Sequence, residues 1–113
     1  MGTIQTKIGI DDALIEEIVR RVLSATRPDR IILFGSAATG EMTRDSDIDL
    51  LVVEAEPIDR REEYVHIRQA LGGMGYPFDI ILISTQWFEA SKTVIGGIAY
   101  PANKHGKVIY EAA

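Results

Sequence analysis

Asp47 and Asp49 open an apolar run, Ile48-Asp-Leu-Leu-Val-Val53, in which carboxylates are out of place. Side chains of a strand alternate between its faces, so residues at i and i+2 project from the same side and the two acids share one small site. Aspartate is ill suited to strands. Two like charges taken from water together cost on the order of several kcal/mol per ion unless a counter-ion is present. A divalent cation answers both costs, and carboxylate oxygens with positions left open for water and phosphate are what Mg²⁺ takes. Asp79 repeats the anomaly within Pro77-Phe-Asp-Ile-Ile-Leu-Ile83. If its strand lies beside that of Asp49, the three carboxylates complete a site for two metals roughly 3.5–4 Å apart, a clamp for in-line phosphoryl displacement. The competing readings are a strand-start turn for Asp47, after the polar Arg44-Asp-Ser46, and an arginine partner for Asp79. Asp45 suits its turn.

Gly35-Ser36 directly follows the apolar run Ile31-Ile-Leu-Phe34. A glycine there lets a phosphate come close to the backbone. Ser36 adds a hydroxyl and, if a helix starts at this point, free N–H groups for an anion. Gly35 to Gly40 has the glycine spacing of a P-loop, but Glu41-Met42 replaces its Lys and Ser/Thr, which excludes that motif.

The elements that must position these residues are legible in outline. Asp11 and Asp12 precede Leu14, Ile15, Ile18, Val19, Val22 and Leu23, an amphipathic helical stripe that must end before Pro28. Residues 31–34, 48–53 and 78–83 read as buried strands. Asp59 with Glu62 resembles a capping box opening a helix through Tyr64, Val65, Arg68 and Leu71, stopped by Gly72-Gly-Met-Gly75. Ser84 or Thr85 can cap a helix beginning near Trp87, and Lys107-Val-Ile-Tyr110 can form a last strand. Pro101 predicts a separate or kinked turn before Lys104 and His105, with Gly106 as a left-handed helix stop. Trp87, Phe88, Val94, Ile95 and Ile98 read as a core face interrupted by Gly96-Gly97, with any surplus apolar surface suited to a partner helix. The expected fold is α/β (α+β), helices on a small sheet, with a loop or short helix between Gly35 and Asp47.

Composition sets the outer limits. A chain of 113 residues has room for one core, so a single domain over 1–113 is expected. Hydrophobic residues at 46% and charged residues at 26% exclude a disordered or collagen-like chain, and the absence of cysteine excludes disulfides and thiolate chemistry. With 17 acidic against 12 basic side chains, net −5, a nucleic-acid groove working by phosphate neutralisation is disfavoured, and no sequence-specific nucleic-acid binding is expected. No run approaches the roughly 18 apolar residues of a spanning helix, and Met1 to Lys7 lack a signal peptide's apolar core, so no membrane association and a cytoplasmic location are expected. Gly2 with Thr6 fits the loose myristoylation pattern, but Lys7 alone makes no polybasic second anchor. His66 has no second metal-type residue at i+4 and is not a candidate ligand.

Taken together, Phe34-Gly-Ser-Ala-Ala-Thr-Gly40 and Asp45-Ser-Asp-Ile-Asp-Leu-Leu-Val-Val53 resemble the minimal nucleotidyltransferase family of the DNA polymerase β-like superfamily. Its signature is Gly-Ser, ten residues, then Asp-x-Asp, which Gly35-Ser36, residues 37–46 and Asp47-Ile48-Asp49 meet without a gap. The strand around Asp79 is similar to the one bearing the family's third carboxylate, and Gly106-Lys-Val-Ile-Tyr-Glu111 to its C-terminal strand. The resemblance implies that Asp47, Asp49 and Asp79 bind two Mg²⁺ ions and that Gly35 and Ser36 grip the β and γ phosphates of a nucleoside triphosphate, commonly ATP. Asp79 would also help deprotonate an acceptor hydroxyl, which attacks the α-phosphorus and expels pyrophosphate. Ala37 and Thr39 stand where many members carry a basic residue, which leaves phosphate contacts to Ser36, backbone and metal, with Arg44 the nearby cation. Members of this size are commonly encoded beside a HEPN-type helical toxin and act as its antitoxin, moving AMP onto a tyrosine of the toxin. The acceptor would bind an exposed groove or come from another subunit, and a homo- or hetero-oligomer is compatible with the second. A non-catalytic module that masks such a partner is the alternative, and the complete set of three carboxylates favours the enzyme. Nucleotidyl transfer to a small molecule ranks below both, for want of an acceptor domain.

Overall fold

The computed structural model describes residues 10–43, 46–55 and 59–113; Met1 to Lys7, Arg44 and Asp45, which entered the sequence reading, lie outside them. Helix α1 (Asp12–Ala25) starts where Asp11 Oδ1 accepts the Leu14 amide at 2.8 Å, and it buries Ile18 and Val22 of the expected stripe. Strand β1 (Arg30–Phe34) follows, then a single helical turn, α2 (Ser36–Thr39), strand β2 (Ile48–Glu54) and helix α3 (Arg60–Leu71). The chain ends with β3 (Phe78–Ser84), α4 (Thr85–Ser91), α5 (Ala99–His105) and β4 (Lys107–Glu111).

The four strands form one mixed sheet in the order β3-β2-β1-β4. β2 and β3 run parallel with α3 as their crossover, while β1 pairs antiparallel with both β2 and β4. Period-two alternation divides the core cleanly. Ile31, Leu33, Ile48, Leu50, Val52, Ile80 and Leu82 pack with α1 and α3, whereas Ile32, Leu51, Val53 and Ile83 pack with Phe88 of α4 and Ala99 and Ala102 of α5. The result is a sheet between two helical layers, the α+β arrangement expected from the order of elements. No helix among the described residues is long and apolar enough to cross a membrane.

Two details of the C-terminal third differ from the sequence reading. Gly106 is not a left-handed stop: its φ is −76°, and it is extended. A Cβ there would overlap the Ala102 carbonyl and the Ile32 side chain, so close packing of α5 on β1 demands the glycine. Of the supposed core face, Phe88 is buried, but Trp87, Val94 and Ile95 are 45%, 57% and 79% exposed. α4 is only seven residues long, and the turns beyond Ser91 no longer follow a helical stripe. Pro101 does mark a separate helix, sitting in the first turn of α5 where its missing N–H costs no intrahelical bond.

Candidate active site

The C-terminal end of β1 and the N-terminal ends of β2 and β3 meet at one edge of the sheet. Phe34 of β1 pairs with Asp49, and Asp49 pairs with Asp79 across the parallel β2–β3 ladder. The Ile48 amide donates to the Pro77 carbonyl at 2.8 Å and fixes the two strand starts in this register. Asp49 is half-buried, while Asp79 beside it and Asp47, one residue before the strand, are exposed. Burial first, then the charges of Asp79 and Asp47 and a hydrogen bond with Asp79, push the Asp49 carboxyl above its ordinary range. The structure thus brings the three sequence-predicted carboxylates to one end of one sheet. The arginine alternative for Asp79 fails among the described residues, since Arg68 of α3 donates instead to the Phe78 carbonyl at 3.4 Å and the Tyr64 hydroxyl at 3.3 Å.

Gly35 lies against Asp49. Its φ of +65° is a conformation that side-chain-bearing residues rarely adopt, and a Cβ at this position would overlap Asp49 Oδ2. The glycine therefore seats the central carboxylate as well as leaving the backbone open. Ser36 begins α2, whose first amides have no intrahelical acceptor. Gly40, at φ +78°, closes that turn with its amide on the Ser36 carbonyl. Thr39 turns its hydroxyl back to the carbonyls of Gly35 and Ser36, at 3.4 and 3.5 Å. Beyond α2, Met42 is 1% exposed and anchors the loop in the core, and the Thr43 amide donates to Ser46 Oγ at 3.0 Å just before Asp47.

Among the described residues no group of three or more His, Cys, Asp or Glu side chains is placed to hold a metal ion as it stands. Asp47, Asp49 and Asp79 share one end of the sheet without closing into such a group, and their donors are all oxygen. That donor set fits Mg²⁺, which keeps waters and substrate phosphates in its shell, and a cation there would relieve the repulsion that raises Asp49.

One acid escaped the sequence reading. Glu54, at the far end of β2, is 4% exposed, with Thr26 and Glu63 against it. Its signal was an acid continuing the apolar run Leu50-Leu-Val-Val53 without a break.

The family model of the nucleotidyltransferase domain matches residues 14–100. A search of curated proteins finds no match. Among solved structures, the chain resembles one described as a toxin-antitoxin with AMP-PNP (20% identity, TM-score 0.67, 87% of this chain and 73% of that one). It also resembles a candidate nucleotidyltransferase of Sulfolobus solfataricus (19%, 0.57, 86% and 78%). A third likeness is to tri-AMPylated Shewanella oneidensis HEPN toxin in complex with MNT antitoxin (16%, 0.54, 87% and 70%). At these identities the likeness is one of fold, the polymerase β-like nucleotidyltransferase fold.

Proposed function

Because the chain belongs to the nucleotidyltransferase domain family, we propose that it moves a nucleoside monophosphate, AMP from ATP, onto a hydroxyl of a protein partner. The partner in this reading is a HEPN-type toxin, its acceptor a tyrosine, and the protein serves as antitoxin. The observation that carries the chemistry is the Asp49–Asp79 register with Gly35 packed under Asp49. The partner is inferred from the similar fold of chains in structures of a toxin-antitoxin with AMP-PNP and of a HEPN toxin with an MNT antitoxin.

Asp47, Asp49 and Asp79 would hold Mg²⁺, which when bound offsets phosphate charge and lowers the pKa of a nearby hydroxyl. The chain's own groups do the rest. Gly35 leaves space beside the backbone, and Ser36 offers its hydroxyl and the free amides of α2 to the β and γ phosphates. Asp79, exposed at the sheet edge, takes the proton of the acceptor hydroxyl. The hydroxyl oxygen bonds to the α-phosphorus, the bond from that phosphorus to the β-phosphate oxygen breaks, and pyrophosphate leaves.

The test is intact-mass measurement of the protein with its partner after incubation with ATP and Mg²⁺. One AMP added per acceptor is the expected result, absent with Asp47→Asn/Asp49→Asn. An unchanged partner mass with every nucleoside triphosphate would leave a masking module as the function, and full transfer by the double variant would refute the assigned site.

A further inference from the structure

At the opposite end of β2 from the aspartates, three elements close over a pair of acids. Glu54 ends the strand and is 4% exposed. The Thr26 hydroxyl, at the end of α1, hydrogen-bonds Glu54 Oε1 and reaches Glu63 Oε1 of α3 at 3.5 Å. The Glu63 carboxyl is close enough to Glu54 to raise it, and Glu63 Oε2 is buried with no hydrogen-bond partner. Asp29, just before β1, adds a further negative charge, and its own Oδ2 accepts from Thr85 Oγ1 at 2.6 Å. Among the described residues no lysine, arginine or histidine forms an ion pair with Glu54 or Glu63.

Donors are short in this group. A hydroxyl has one proton to donate, and two ionised carboxylates only accept. Two carboxylates this close, one of them on a buried residue, ionise together only at high cost without a cation. We propose that Glu54 keeps a proton in the folded protein and donates it to Glu63, and that this proton ties α3 to the sheet and to the end of α1, so that the fold loosens as the proton is lost. Burial first, then Glu63, raises Glu54 from 4.5 to about 7, consistent with a proton retained near neutrality. The sign follows from linkage. A carboxyl held protonated in the folded state but not in the unfolded chain contributes stability that is complete below about pH 4.5 and lost as the pH rises through about 7. The device is independent of nucleotide transfer, because neither glutamate is placed in the site of Asp47, Asp49 and Asp79.

The experiment is thermal unfolding of the full chain from pH 5 to 9, with chelator present so that divalent cations do not contribute, for the wild type, Glu54→Gln and Glu63→Gln. An amide carries its donors at every pH. The wild-type Tm should fall by about 5–10 °C between pH 5 and 8; most of that fall should vanish in Glu54→Gln and part of it in Glu63→Gln, which leaves the burial of Glu54 in place. Parallel Tm profiles for wild type and both variants would overturn the proposal. If neither variant folds, carboxyl-carbon NMR titration of the wild type decides: a Glu54 midpoint near 7 supports the retained proton, and one at the ordinary glutamate value overturns it.

Discussion

Strand β2 carries an acidic group at each end, and the two ends treat their charges in opposite ways. Asp49 and Glu54 are five residues apart on one extended segment, about 16 Å at ~3.3 Å per residue. At the Asp49 end the neighbours along the sheet are Asp79 and the backbone of Gly35, and the adjoining helix is a single turn. Two of its three acids reach solvent, and the donor set stays open. At the Glu54 end, α3 and the end of α1 close over the strand, and Ser84, which pairs with Glu54, caps α4 on the spot. On the proposed readings, the same chemical group would take a cation where the fold is open and keep a proton where it is sealed. Coverage, rather than residue type, is what differs between the two ends.

The contrast breaks most sharply on removal of charge. Asp47→Asn/Asp49→Asn should cut nucleotidyl transfer by about 10³-fold or more, abolish any Tm rise with Mg²⁺ and ATP, and leave the fold standing, because it also removes repulsion from Asp49. A double variant that still gains Tm with Mg²⁺ and ATP would move the ligand elsewhere. Gly35→Ala ranks next. A methyl group at φ +65° that overlaps Asp49 Oδ2 should cost roughly 2 kcal/mol of stability, read by urea unfolding, and should displace the central carboxylate. Its Mg²⁺–ATP response should fall with it. An alanine variant with wild-type stability and response would show that Asp49 is not seated by this contact.

A smaller effect concerns pH. Burial and the charges of Asp79 and Asp47 raise Asp49, so Mg²⁺ bound there, as the proposed function requires, would displace a proton over a pH range above that of an ordinary aspartate. Apparent Mg²⁺ affinity, measured by calorimetry, should therefore strengthen as the pH rises through that range, with protons released on binding. Asp79→Asn removes one of the repelling charges and should move the midpoint toward acid. No movement would mean that burial and Asp47, without Asp79, set the Asp49 titration.

How much of this arrangement was legible depended on whether a residue broke a local pattern. Asp49 and Asp79 each stand second in an apolar run, after Ile48 and Phe78, and parallel pairing at equal offsets places them side by side. The twelve residues of α3 between those strands give the length of a parallel crossover. Caps at Asp11, Asp59 and Ser84 were equally local, and each side chain accepts the amide three residues on. What stayed hidden were long-range contacts. Nothing near Gly106 in the chain announces the Ile32 side chain that excludes a Cβ, and nothing near Glu54 announces Thr26, twenty-eight residues earlier, as its partner. The exposure of Trp87 and Ile95 was hidden for a related reason: apolar residues form a core face only where a helix continues, and α4 ends at Ser91.

The finest test compares two serines whose hydroxyl groups make the same local bond at opposite ends of the sheet. Ser84 Oγ accepts the Trp87 amide at 3.0 Å and caps α4 at the sealed end; Ser46 Oγ accepts the Thr43 amide at 3.0 Å in the loop that delivers Asp47. Loss of a cap costs about 1 kcal/mol, and loss of a single bond in a half-exposed loop about 0.5 kcal/mol. Stability alone would therefore rank Ser84→Ala as the greater injury. The Tm rise with Mg²⁺ and ATP should rank them the other way, nearly unchanged in Ser84→Ala and reduced in Ser46→Ala, because only the second bond constrains a carboxylate of the open end. Equal loss of that response in both variants would mean that the two ends are mechanically coupled through β2, and that sealing one end contributes to arranging the other.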